Sequence, residues 1–113
     1  MDSILTSIKK LLGITEECVD FDTDLIMHIN SVFMILTQLG VGPSDGYVIS
    51  GKYETWEDFL PESSSPKLEA VKSYIYLKTR LLFDPPTMSA VMEATKSMIS
   101  ELEWRLNVGA ESS

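Results

Sequence analysis

Apolar residues recur at three- and four-residue intervals in four separate stretches, and that spacing dictates helices. Ile4, Leu5, Ile8, Leu11 and Leu12 predict a first helix from about Ser3 to Leu12, capped by Asp2 or Ser3 and stopped by Gly13. An acidic linker, residues 14–21, follows. A second helix begins near Asp22 or Thr23 and reaches about Leu39, where Gly40 and Gly42-Pro43 end it. Its stripe of Leu25, Ile29, Val32, Leu36 and Leu39 is widened by Ile26, Phe33 and Ile35, which predicts cover on more than one side. Ser63-Ser64-Ser65 is a connector, and Pro66 takes the favoured first position of a third helix, with Ser65 as cap. That helix runs to Phe83, and Asp84-Pro85-Pro86 closes it. The last helix spans about Thr87 to Leu106, with Met88, Val91, Met92, Met98, Ile99, Leu102 and Leu106 as its expected buried face.

Residues 41–54 break the pattern. Gly42, Gly46 and Gly51 interrupt short apolar runs at Tyr47-Val48-Ile49 and around Tyr53, which suggests a small β-hairpin or an ordered loop. A two-stranded hairpin is barely stable alone, and these side chains have no obvious place in a three-helix core. Thr55 to Leu60 reads as one helical turn, with Thr55 as cap and Asp58 three residues on in capping-box spacing. The expected architecture is therefore all-α: a small bundle of three long helices plus short ones, with a loop or hairpin projecting around 41–54. Residues 1–108 form one helical domain and 109–113 a frayed tail.

Charge narrows the choice of partners. The chain carries 17 acidic and 9 basic residues in 113, a net charge of -8. Non-specific DNA binding needs clustered cations to displace counterions, and Lys72, Lys78 and Arg80 are merely strung along one helix. The apolar N-terminal run is interrupted by Lys9 and Lys10, so no secretory signal is read there. No stretch approaches the roughly 20 apolar residues of a membrane span. A single cysteine, Cys18, allows no internal disulfide and suits a reducing compartment.

A search for chemistry finds little. His28 is the only histidine and sits among apolar neighbours; it and Cys18 match no nucleophile–base signature. Asp20-x-Asp22-x-Asp24 opens like a calcium loop, but Leu25 and Ser31 stand where that loop needs glycine and glutamate. Capping of the second helix by Asp22 or Asp24 is the simpler reading. One Cys and one His cannot hold zinc. No cofactor, metal or catalytic residue is assigned. Glu101 and Arg105 have the spacing of a surface pair. Trp56 and Trp104 are either core plugs or interface anchors.

One ordered set of segments stands out. Val71 to Pro86 (VKSYIYLKTRLLFDPP) resembles the signature of tailed-phage head–tail connector proteins, and Glu101-Leu102-Glu103-Trp104-Arg105-Leu106-Asn107 resembles that family's C-terminal helix. Leu11-Leu12-Gly13-Ile14, Gln38-Leu39-Gly40-Val41-Gly42 and Thr55-Trp56-Glu57-Asp58-Phe59-Leu60 fit in the same order. The resemblance covers about residues 3–108. It implies a non-enzymatic structural virion protein, made in the bacterial host cytoplasm. Such a protein serves head completion and DNA packaging as a ring, expected to be dodecameric, beneath the portal. The ring extends the DNA channel and carries later head-completion or tail proteins, and DNA passes without specific binding. Within that reading, Tyr47, Val48, Ile49, Tyr53 and Trp56 are expected at the subunit interface. Trp104, Arg105, Asn107 and Val108 are expected to dock the portal. The alternative is a small acidic adaptor that binds a partner through a helical groove.

Overall fold

A computed structural model describes residues 3–61 and 65–112. Its helices are α1 (Ile4–Leu12), α2 (Asp22–Gln38), α3 (Trp56–Phe59), α4 (Ser65–Phe83) and α5 (Ser89–Ser112). No strand occurs among the described residues; an isolated antiparallel bridge joins Ser3 to Thr55. The alternative cap Asp2 and the Ser63-Ser64 connector lie outside the described residues.

Local chemistry accounts for most boundaries. The Ser3 side chain accepts from the Thr6 N–H and so caps α1. Gly13 ends it at φ 81°, in the left-handed region. Thr55 and Asp58 bond reciprocally, each side chain to the other's backbone N–H, and close the expected capping box over α3. The start of α2 differs from expectation. Its N-cap is Phe21, with no side-chain cap bond; Asp22 and Asp24 lie in the first turn, where they face the positive end of the dipole. At the other extreme α5 continues to Ser112, beyond the Leu106 at which its apolar periodicity ends.

Helix α4 is the axis of the domain. It contacts α1, α2 and α5, and its Val71, Tyr74 and Ile75 are fully buried. Against them pack Ile4, Leu5 and Ile8 of α1, and Leu25, Ile29, Val32, Phe33 and Leu36 of α2. Helix α5 gives less: Ile99 and Leu106 are its buried apolar residues, with Met92 and Leu102 half-buried. Met88, Val91 and Met98 are exposed, so the predicted buried face of α5 is corrected. The reason is geometric: α5 rests mainly on α4, and a helix with one principal neighbour leaves the rest of its circumference to solvent.

The 14–21 linker is held by a residue that composition would place outside. Lys9 is 2% exposed. Its Nζ donates to the carbonyls of Glu16 (3.1 Å) and Cys18 (2.7 Å) and pairs with Asp22 Oδ1 at 2.9 Å. One ammonium thus donates to two linker carbonyls and ion-pairs with Asp22, tying the end of α1 to the start of α2.

Candidate assembly surfaces

Residues 41–54 form an irregular loop laid against α2 and α3. Asn30 of α2 clamps it: the side-chain amide donates to the Ile49 carbonyl at 2.9 Å and accepts from the Ile49 N–H at 2.7 Å. Ile49 and Val41 are buried in the core. The Tyr47 ring meets Phe33 edge-on at 5.2 Å and Phe59 at 5.2 Å. Gly42, at φ 88°, lets the chain pass so close to Phe59 that a Cβ there would fall 2.4 Å from the ring. Further along, Glu54 accepts from both the N–H and the hydroxyl of Ser50. Burial pushes the Glu54 carboxyl upward, but these bonds and the backbone donors of Glu54 and Gly51 outweigh it, so its pKa lies below the ordinary 4.5. The Tyr47 hydroxyl is pushed up, first by burial and then by the charges of Asp58 and Glu54.

This placement revises the interface expectation. Tyr47 and Ile49 are candidates because a three-helix core offers them no obvious place, and Trp56 because a large aromatic is either a core plug or an interface anchor; the chain's own core takes up all three. Trp56 is 1% exposed, and its indole N–H donates to the Ser7 hydroxyl at 3.0 Å. Lys72 lies over its ring at 5.5 Å. Of the five residues only Val48 and Tyr53 present large apolar area to solvent, at 66% and 80%. Val48 borders a groove of about 660 Å³ that runs along α2, lined also by Met27, Asn30, Ser31, Met34 and Asp45.

The second group lies on α5. Trp104 is 66% exposed. Arg105 holds Glu101 on the surface at 2.8 Å, and both are open to solvent. Asn107 is engaged within the chain, donating to the Leu39 carbonyl at 3.3 Å, and a Cβ at Gly40 would lie 3.1 Å from Ala110 Cβ. The last turns of α5 therefore rest on the end of α2. Between α4 and α5 the Tyr74 hydroxyl donates to Glu103 at 2.6 Å. Its pKa is raised, by burial first and then by that bond and charge, so the phenol stays protonated and the link persists.

His28 is half-buried in α2, and Cys18 is half-buried in the linker. Among the described residues no group of three or more His, Cys, Asp or Glu could hold a metal ion. None of the described helices is long and apolar enough to cross a membrane. What stands out is apolar area left bare: Met27, Met34, Val48 and Tyr53 on the α2 and loop side, and Val91, Met98, Trp104 and Val108 on α5. Such patches mark sites of association. The family model described as Phage connector protein matches residues 4–113. No curated protein and no solved structure matches the chain.

Proposed function

We propose that this chain, which belongs to the phage connector protein family, assembles as a ring beneath the portal of the DNA-filled head. There it extends the channel and offers a platform to later head-completion or tail proteins. The supporting observation is the exposure of large apolar side chains on α2, on the 41–54 loop and on α5 of a connector-family chain, beside others at Leu11, Val19, Phe21, Leu82 and Met88. A closed ring is built from heterologous contacts, in which two different patches of each subunit meet. We assign Val48 and Tyr53 to the contact with the next subunit, and Trp104 with Val108 to the portal. A dodecamer is the expected number, from the resemblance. The net charge of -8 suits a wall past which DNA must slide, because it repels phosphate and avoids trapping the duplex in transit.

Purified heads lacking this chain provide the test. Adding the purified protein is expected to place a layer beneath the portal, seen by electron microscopy, and to restore attachment of later proteins. Heads that gain full function without the chain, or never bind it, would overturn the reading.

A further inference from the structure

The molecule has two ends, and the ring reading, on which this inference rests, gives an occupant to only one of them. The Phe21 ring meets Phe83 at 5.3 Å, so the start of α2 lies against the end of α4. Lys9, near the end of α1, pairs with Asp22 at the same place. Leu11 shares a cleft there with Arg80 and Asp84. The 84–88 turn sends α5 back from this end, and α5 finishes against the end of α2, where Asn107 donates to the Leu39 carbonyl. Helices α2 and α5 therefore run the same way, and α4 runs against them. Trp104 and Val108, given to the portal, flank Asn107 at the far end. Ser89, the first residue of α5, lies about 22 Å back along the helix from Trp104.

The near end gathers bare apolar side chains from four parts of the chain: Leu11 of α1, Val19 and Phe21 of the linker, Leu82 of α4 and Met88 before α5. All are exposed, Val19 by 65% and Leu82 by 54%. Apolar area gathered in this way marks a site of association. Carboxylates share the same end: Glu16, Glu17, Asp20, Asp24 and Asp84 are exposed. The cations set against them are Lys10 and Arg80, because Lys9 is buried on Asp22.

We propose that this end seats the next protein of the stack, and that the docking segment of that protein carries apolar side chains together with lysine or arginine. Position supports it, since the end lies opposite the portal group. Charge selects the partner. A second copy of this chain, also at -8, would bring more acid than base, and like charges across a contact are penalised. Duplex DNA is repelled for the same reason. A cationic segment is steered in by the carboxylates, and the apolar side chains then anchor it. The seat is also preorganised. Lys9 Nζ holds the carbonyls of Glu16 and Cys18, and Phe83 backs Phe21, so the linker presents Val19 and Phe21 with little freedom left to lose on docking.

Reconstitution tests this. Heads lacking the chain are loaded with wild-type protein or a variant, freed of unbound protein, and mixed with the purified head-completion proteins and tails of the same phage. Chain bound to heads and tails joined to heads are measured separately. Val19→Asn with Leu82→Asn is expected to bind heads as the wild type does and to lower tail joining about tenfold or more, the effect of losing two apolar anchors. Glu17→Lys with Asp20→Lys should do the same, and it decides the matter if the apolar variant loses its fold by circular dichroism, since both positions are exposed. Trp104→Ala should show the opposite split and lose head binding. Benzoylphenylalanine placed at Val19 and photolysed in joined particles should cross-link to the newly added protein, at a segment bearing Lys or Arg. A folded double variant that joins tails at the wild-type rate would overturn the proposal. So would loss of head binding by the charge-reversed variant, or a cross-link to the portal or to a neighbouring copy. A wild-type chain that never forms a layer on heads would remove the ring reading and this docking end together.

Discussion

The inner face of α2 and the outer face of α5 are both apolar, yet they do opposite work. On α2, Leu25, Ile29, Val32, Phe33 and Leu36 are sealed against α1, α4 and the 41–54 loop. On α5, Val91, Met98, Trp104 and Val108 stay open to solvent. Exposure, not residue type, separates them: Val91 and Val108 on the open face are branched like the sealed core, and Met98 and Trp104 add side chains that suit a partner. Stability should therefore reside in one region and association in the other.

Mutations that separate the two properties sharpen this contrast. The largest effect is expected from the tryptophans. Trp56→Ala removes a buried ring and orphans the Ser7 contact, with an expected loss of about 3–5 kcal/mol in urea unfolding. Trp104→Ala, in the exposed group, should change stability by less than about 0.5 kcal/mol while weakening portal binding in a co-sedimentation assay. Equal destabilisation by both would break the comparison.

Next comes Lys9→Met. It keeps the buried stem but leaves the carbonyls of Glu16 and Cys18 and the Asp22 carboxylate without their donor. Breaking a buried pair typically costs 3–5 kcal/mol; because Asp22 is partly exposed, about 2–4 kcal/mol is expected, read by the same titration. Gly42→Ala follows. The left-handed backbone alone costs about 1–2 kcal/mol for a residue with a Cβ, and the approach to Phe59 adds to it, so thermal unfolding should come earlier.

The smallest effect concerns acid. The folded Glu54 carboxyl titrates below its ordinary 4.5, so its contribution is fully present above that value. It is lost as pH falls through the lower folded pKa. Hydrogen exchange at the Ser50 amide should accelerate relative to the α4 amides as pH drops through that window, and Glu54→Gln should abolish the pH dependence. An unchanged ratio in the wild type would contradict the lock.

Much of this was legible residue by residue. Gly13, the 84–86 stop and the Thr55–Asp58 box set boundaries through local chemistry, and local chemistry is what a sequence displays. Three features were not. In the sequence Lys9 is only a charge that interrupts an apolar run, and only the path of the 14–21 linker buries it. Tyr47 and Ile49 seemed homeless because their partners, Phe33, Phe59 and Asn30, are long-range. On α5 the three- and four-residue spacing supports two apolar stripes at once, one through Ile99 and Leu106 and one through Val91 and Met98. Periodicity cannot say which a neighbour covers. The first stripe holds the fold; the second is left to solvent.

The central claim is that the bare apolar surface exists for assembly in a ring. Its most direct test is solution mass by light scattering after size exclusion, for the chain alone and with purified portal rings, with Val48→Asp as the paired variant. The account predicts a closed oligomer, alone or on the portal, that Val48→Asp prevents while the variant's monomer keeps its fold by circular dichroism. A monomer or dimer that ignores the portal would contradict it and favour the adaptor reading.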